Sequence, residues 1–301
     1  MLDRLKMLLQ DPPPLAVFEV STEWLAAVRR DPKTLEVVAR ARQPLAAGVI
    51  EASATKPNIP DTEALDSALA ALIAELGEIK RPEAALILPD ACARLTVLNF
   101  DELPGDGKER QTQISARLDK TVPFDISSAR ISFDARKNGE DWSVLTAAML
   151  EGVVRSYEEA IERAGFWPGW VSLSSAAALP LVRDEGAVML VKLAGRELTM
   201  SALEGGVVRM LRSVIISASS DAPARQVINE IITDLYPTLV FTRENLRLRS
   251  NQILLAGFDD LAPTALEMLP SELGCEVGLL RSSEGAVGSA DAGIWGYLSK
   301  N

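Results

Sequence analysis

Three short segments rich in apolar and β-branched residues, 15–20, 24–30 and 35–41, follow one another with brief polar breaks. They predict three successive strands, and Asp31-Pro32-Lys33 marks one of the turns between them. After a polar loop holding Pro57 and Pro60, the rhythm changes to that of a helix. Leu65, Leu69, Leu72 and Leu76 fall on one face of a helix over 62–76, with Asp61 placed to cap its start and Gly77 its end. A short apolar run, 84–88, predicts a buried strand that stops at Pro89.

The pattern then loosens. Residues 95–100 read as a strand, and 108–120 as a polar helix anchored by Ile114 and Leu118 and ended before Pro123. Ala129, Ile131, Phe133 and Ala135 alternate as in a half-buried strand, and 142–149 continues as another. This stretch predicts a small β/α insertion over 90–148. A helix over 151–164 follows on the Val154, Tyr157, Ile161 stripe, then a short strand at 171–173 and a small-residue helix over 174–181.

The opening pattern returns at 187–193, 197–204 and 207–216, three strands joined at Gly195 and at Gly205-Gly206. A helix over 222–241, a strand at 252–256, a helix over 262–269 and a strand at 276–280 complete it. Each half therefore reads strand-strand-strand-helix-strand-helix. A repeated topology of this kind predicts two α/β lobes with a cleft between them, the natural place for a ligand.

Composition removes several classes of function. The chain of 301 residues has a formal net charge of −11, which argues against nucleic acid as the main partner. It has no histidine, so Ser-His-Asp and Cys-His nucleophile systems and histidine-bearing zinc sites are excluded. Cys92 and Cys275 are two thiols far apart, expected as core residues in a reducing compartment. Asp3, Arg4 and Lys6 interrupt the apolar residues at the N-terminus, so no signal peptide is expected, and 164–182 is too rich in Pro, Gly and Ser for a membrane span. Leu2, Leu5, Leu8 and Leu9 could share one face of a short terminal helix, packed on its own domain or touching a membrane or partner.

The order of elements, with the strings Leu15-Ala16-Val17-Phe18-Glu19-Val20-Ser21-Thr22, Ala46-Ala47-Gly48-Val49-Ile50, Val122-Pro123-Phe124 and Leu254-Leu255-Ala256-Gly257, resembles the type IV pilus assembly protein PilM family. The likeness runs over about residues 15–300, with FtsA-type division proteins more distant. It implies an α/β, actin-like (ASKHA) fold of duplicated βββαβα lobes with a small inserted β/α subdomain. The first lobe would be 1–89 with 149–183, the insertion 90–148 and the second lobe 184–301. It implies a partner too: the cytoplasmic N-terminal peptide of a PilN-like inner-membrane protein, held in a groove beside the insertion. Leu88, Pro89, Arg94 and Thr96 are the residues that the resemblance suggests for that groove. Contact with pilus motor ATPases and self-association fit the same picture, as does a cytoplasmic protein peripheral at the inner membrane.

Active relatives in that fold use an Asp-x-Gly turn in each lobe, the glycine for close approach to phosphate and the aspartate to organise magnesium. Here the corresponding first-lobe positions are Phe18 and Val20, with Ser21 and Thr22 after them. The second-lobe positions are Lys192 and Ala194, followed by Gly195, and the adenosine-side Gly-Gly is Gly257-Phe258. Glu19 lies one residue from the aspartate position and would face the wrong side unless the strand is bulged or shifted. The site therefore reads as a degenerate nucleotide cleft with no catalytic residue, no metal and no expected cofactor, although the fold is that of ATP binders. Lys192 either pairs with Glu19 or another carboxylate, lies in solvent, or meets a phosphate directly. An ATPase with shifted motifs and the cytoplasmic part of a GspL-like type II secretion protein are the competing readings.

Four other groups have bland and sharp interpretations. Arg243, Arg247 and Arg249 form a basic patch or a solvated element end. Asp259-Asp260 and Glu158-Glu159 read as surface charges. Trp167 and Trp170 are either an exposed aromatic turn for a partner or core packing.

Overall fold

The computed structural model describes residues 13–183, 185–218 and 222–300. The leucine stripe at positions 2–9 lies outside the described residues.

The first lobe opens with β1 (Ala16–Val20), β2 (Trp24–Arg30) and β3 (Val37–Pro44), then α1 (Thr62–Leu76) and β4 (Glu83–Leu88). The chain returns to it through α3 (Glu151–Arg163), β8 (Trp167–Leu173) and the short α4 (Ser174–Ala178). Its five strands lie in the order β3-β2-β1-β4-β8. The second lobe has β9 (Ala187–Ala194), β10 (Glu197–Glu204), β11 (Val207–Ile215), α5 (Ala224–Asn245), β12 (Gln252–Ala256), α6 (Ala262–Leu273) and β13 (Glu276–Leu279). Its order, β11-β10-β9-β12-β13, repeats the first with the same sense of pairing. The duplication expected from the two halves is present strand for strand.

Alternation along the central strands buries both sheet faces. Ala16, Phe18 and Val20 point toward α1 and α3, where Leu65, Leu69, Leu72 and Tyr157 complete a core. Val17 on the other face joins Ile87, Ala177, Ile294 and Tyr297. Helix α1 starts as its sequence suggests, with the Asp61 carboxylate accepting from the Ala64 N–H at 2.9 Å.

The last helix, α7 (Ala292–Leu298), leaves the second lobe and packs on the first, against α4 and β1. Its two glycines make this possible. A Cβ on Gly296 would sit 1.9 Å from the Ala177 carbonyl oxygen, and one on Gly293 would sit 2.6 Å from Ile87 Cγ2.

Between β4 and α3 comes the inserted subdomain: β5 (Arg94–Phe100), α2 (Gly107–Leu118), β6 (Ala129–Asn138) and β7 (Asp141–Leu150). The strands form an antiparallel sheet in the order β5-β7-β6. One face packs on α2 through Leu98, Phe100, Ile114, Leu118 and Val144. Among the described residues, no helix is long and apolar enough to cross a membrane.

Among the boundaries that differ from the sequence expectation, three have clear local reasons. The third strand starts at Val37 because Leu35 sits at φ 60°, in a turn tied by the Asp31 carboxylate to the Lys33 and Thr34 N–H groups. Strand β8 begins at Trp167, because β4 pairs with it in parallel and a bulge absorbs Pro168-Gly169. Helix α6 runs past Pro270 to Leu273 and ends at Gly274, which takes the left-handed conformation at φ 65°.

Candidate functional site

The β1–β2 turn of the first lobe and the β9–β10 turn of the second face each other across the cleft. Gly195 has φ +58°, and a Cβ there would lie 3.0 Å from Thr22 Oγ1. Ser21 is a turn residue: its Oγ accepts from the Trp24 N–H at 2.9 Å and donates to the Trp24 carbonyl at 3.1 Å. The cavity left between the turns measures about 90 Å³, lined by Glu19, Ser21, Thr22, Lys192 and Glu197 among others. Small-molecule sites are usually about 300–1,000 Å³.

Side chains fill the rest. Lys192, projecting from β9, is buried and places Nζ 3.0 Å from Asp90 Oδ2, with the two side chains 3% and 1% exposed. Asp90 lies just beyond the end of β4. It also accepts from the Ser175 N–H at 2.8 Å, from the Ser175 hydroxyl and from the Thr199 hydroxyl at 3.4 Å. Glu19 accepts from the Gly293 and Ile294 N–H groups at the start of α7, at 3.2 and 2.9 Å, and from the Ser174 hydroxyl. Glu197 accepts from the Ala91 N–H at 3.0 Å.

Burial pushes the Glu19 carboxyl up to about 7, against the pull of the Ser174 hydroxyl and the Lys192 charge. Glu197 is likewise raised to about 7, by burial and by neighbouring Asp90. Burial alone would lower the Lys192 ammonium, but Asp90, Glu19 and Glu197 outweigh it and hold it above its ordinary value.

An ATP–magnesium group does not fit this arrangement. The carboxylates are engaged by protein donors, an ammonium already stands among them, and the free space of about 90 Å³ falls below the usual range of small-molecule sites, roughly 300–1,000 Å³. No cluster of candidate metal ligands occurs among the described residues.

The structure separates the residues singled out for the cleft. Val20, Ser21, Thr22 and Lys192 line it, and Gly195 abuts it. Phe18 does not. Its ring lies in the first-lobe core, edge-on to Phe166 with centroids 5.1 Å apart, because strand alternation turns Glu19 to the cleft instead. The expectation that Glu19 faces the wrong side is thereby corrected without any bulge, since β1 pairs in unbroken register with β2 and β4. Phe258 is buried in the second-lobe core rather than standing in the cleft. Gly257, at φ +74°, is required by the backbone: a Cβ there would come 2.1 Å from the Leu193 carbonyl oxygen. Lys192 pairs with a carboxylate that was not singled out, Asp90. Its position after a parallel strand, at the edge where α/β sheets place their ligands, was the available signal.

A larger groove, of about 860 Å³, opens on the far face of the inserted sheet. Leu145, Ala147 and Met149 of β7 form one wall, Trp170 and Leu173 of β8 another, and Val207 and Val208 of β11 the third. Arg130, Asp134, Arg136 and Lys300 add charge around this largely apolar lining. None of Leu88, Pro89, Arg94 and Thr96 lines it. Leu88 is in the first-lobe core, Pro89 lies at the interlobe cleft, and Arg94 and Thr96 alternate with Leu95, the β5 residue that does reach the groove.

The remaining candidates are placed as follows. Trp167 is 64% exposed, and Trp170 packs against Tyr297 at the groove, with centroids 4.6 Å apart and the rings tilted by 46°. Arg243, Arg247 and Arg249 are exposed. Glu158 is not a surface charge: it is buried and bonded to Arg130 at 2.6 Å. Both cysteines are buried and free.

No protein-family model matches the chain, and no curated protein matches it in sequence. Solved structures do match in fold. The chain is similar to one in a PilM-PilN type IV pilus biogenesis complex, with a TM-score of 0.81 and 17% identity over 96% of this chain and 99% of that one. It is similar to the ethanolamine utilization protein EutJ from Carboxydothermus hydrogenoformans, with a TM-score of 0.55 and 12% identity over 97% and 91% of the chains. It also matches the cytoplasmic domain of EpsL, an inner-membrane component of the type II secretion system of Vibrio cholerae, at 0.50 and 12% over 80% of each. The fold is the actin-like one, as the sequence resemblance implied.

Proposed function

We propose that this chain is a non-catalytic, actin-like scaffold of a type IV pilus or related envelope machine. It would hold an extended segment of a membrane-anchored, PilN-like protein in the groove beside the inserted sheet. The observation that carries this reading is that groove: an open, mostly apolar trough of about 860 Å³ in a chain whose fold follows a PilM-PilN complex component over nearly its whole length. Apolar walls with charge around them suit a peptide that buries alternate side chains and leaves its ends in water. Attachment through such a partner would place the chain peripherally at the cytoplasmic face of the inner membrane.

The filled cleft supports the non-catalytic part. A cavity of about 90 Å³ with a buried Lys192–Asp90 pair is what this reading expects of a cleft that has given up a metal-bound triphosphate. On this reading the chain needs no cofactor.

The test is calorimetry with a synthetic peptide covering the N-terminal cytoplasmic segment of a PilN-like, single-span membrane protein from the same organism. Wild type should bind in the micromolar range. Ala147→Arg, which puts a long charged side chain on the β7 wall of the groove, should bind at least tenfold more weakly. Absence of wild-type binding would refute the reading. In the same preparation ATP–magnesium should leave the melting temperature unchanged, since only a ligand of the native state raises it; a rise of several degrees would overturn the non-catalytic assignment.

A further inference from the structure

The groove is not built by one lobe. Its third wall comes from β11 of the second lobe, and two contacts join that wall to the inserted sheet. The buried Ser143 hydroxyl donates to the Val208 carbonyl at 2.6 Å, and Arg136 reaches the Gly206 carbonyl at 3.5 Å. Tyr297 of α7, delivered by the second lobe, supports Trp170. The width of the groove therefore depends on how the lobes sit relative to each other.

In the cleft, the lobes are tied by the protein's own charges. Asp90 and Glu19 belong to the first lobe, and Lys192, Thr199 and Glu197 to the second. Lys192 is the cation among these carboxylates: its Nζ lies 3.0 Å from Asp90 Oδ2 across the lobe boundary, the Thr199 hydroxyl donates to the same oxygen at 3.4 Å, and all three carboxylates help to hold its charge. Without the ammonium, buried carboxylates would confront one another across the lobe boundary, a situation proteins relieve by separating the groups or admitting water.

We infer that Lys192 takes the place of a bound cation and nucleotide as the element that holds the lobes closed, and so keeps the groove in its binding shape. This rests on the reading of the groove as a peptide site. Closure is then permanent: the chain is ready for its partner without any nucleotide cycle.

The test compares wild type with Lys192→Met, using the same synthetic peptide and amide hydrogen exchange. Lys192→Met should bind the peptide at least tenfold more weakly and should exchange faster in β11 and α7, while the amides of α2 in the inserted subdomain stay as protected as in wild type. ATP–magnesium should change wild-type peptide affinity by less than twofold. Thr199→Val removes a weaker tie to Asp90 at little risk to folding, and should weaken binding two- to fivefold. A folded Lys192→Met that binds as wild type does would overturn the inference. So would a wild type whose affinity depends on nucleotide, or, if Lys192→Met does not fold, a Thr199→Val that binds as tightly as wild type. If wild type fails to bind the peptide at all, the groove reading falls. Exchange then decides the lock by itself: faster exchange in β11 of Lys192→Met upholds it, and unchanged exchange removes it.

Discussion

Replacing Gly296 by alanine should destabilise the protein, although helix propensity alone predicts a gain of about 1 kcal/mol. Gly296 lies inside α7, where alanine is the better helix former. Yet its added methyl would sit 1.9 Å from the Ala177 carbonyl oxygen and 2.6 Å from Ala178 Cα, both backbone atoms of α4. Contacts of a real Cβ do not fall below 3.0 Å, so α7 must withdraw by more than 1 Å. That movement loosens Ile294, Trp295 and Tyr297, all buried, and stretches the Gly293 and Ile294 N–H bonds to the Glu19 carboxylate. Overpacking typically costs about 1–3 kcal/mol, and weakening a bond to a charged group about 1.5–3 kcal/mol. After the propensity gain the net loss should be roughly 2–4 kcal/mol, a fall in melting temperature on the order of 5 °C or more for a chain of this size. Urea and thermal unfolding measure it. Gly152→Ala in α3 is the control, because nothing lies within 4 Å of the new Cβ and the change should be neutral or slightly stabilising. If Gly296→Ala proves as stable as the control, α7 is not wedged against the first lobe as described.

Two further outcomes follow from the buried polar groups. Glu19 has its carboxyl raised from 4.5 to about 7 by burial, so the folded state binds its proton more tightly than the unfolded one. Its contribution to stability is full below about pH 4.5 and is lost as pH rises toward 7, a change on the order of 3 kcal/mol. Glu19→Gln should flatten the fall in stability between pH 5 and 7.5 in urea titrations; an unchanged slope contradicts the assignment. Asn58 bonds the Cys92 thiol at 2.9 Å, the Tyr157 hydroxyl at 3.2 Å and two carbonyls of its own loop, at Ser53 and Lys56. Asn58→Ala strands these groups and should cost about 2 kcal/mol and speed proteolysis within 51–60; equal protease resistance would show that the loop is held by something else.

Much of the architecture was legible in the chain itself. The leucine period of α1, its Asp61 cap, the alternation in β6 and the return of the opening pattern after residue 186 are local signals. They depend on two geometric periods, 2 and 3.6, and on turn chemistry, so they survive without knowledge of neighbours. The resemblance supplied the kind of fold, which the solved structures share.

The candidate site was legible only in part, because its chemistry is made by residues distant in sequence. The family resemblance marked Lys192 as an odd residue for a nucleotide cleft. It did not name Asp90, 102 positions away, because that pairing exists only when the two lobes close on each other. Likewise alignment by motif selected Phe18, while packing of β1 between two layers turned Phe18 to the core and Glu19 to the cleft. The groove has no sequence signature at all: its walls come from β7, β8 and β11, and no local period records which surfaces will meet. Patterns along the chain thus determined the elements and their repeat. Which side chains share a buried volume, and which charges answer each other there, was decided by tertiary packing, because burial and Coulomb energy depend on distance in space rather than in sequence.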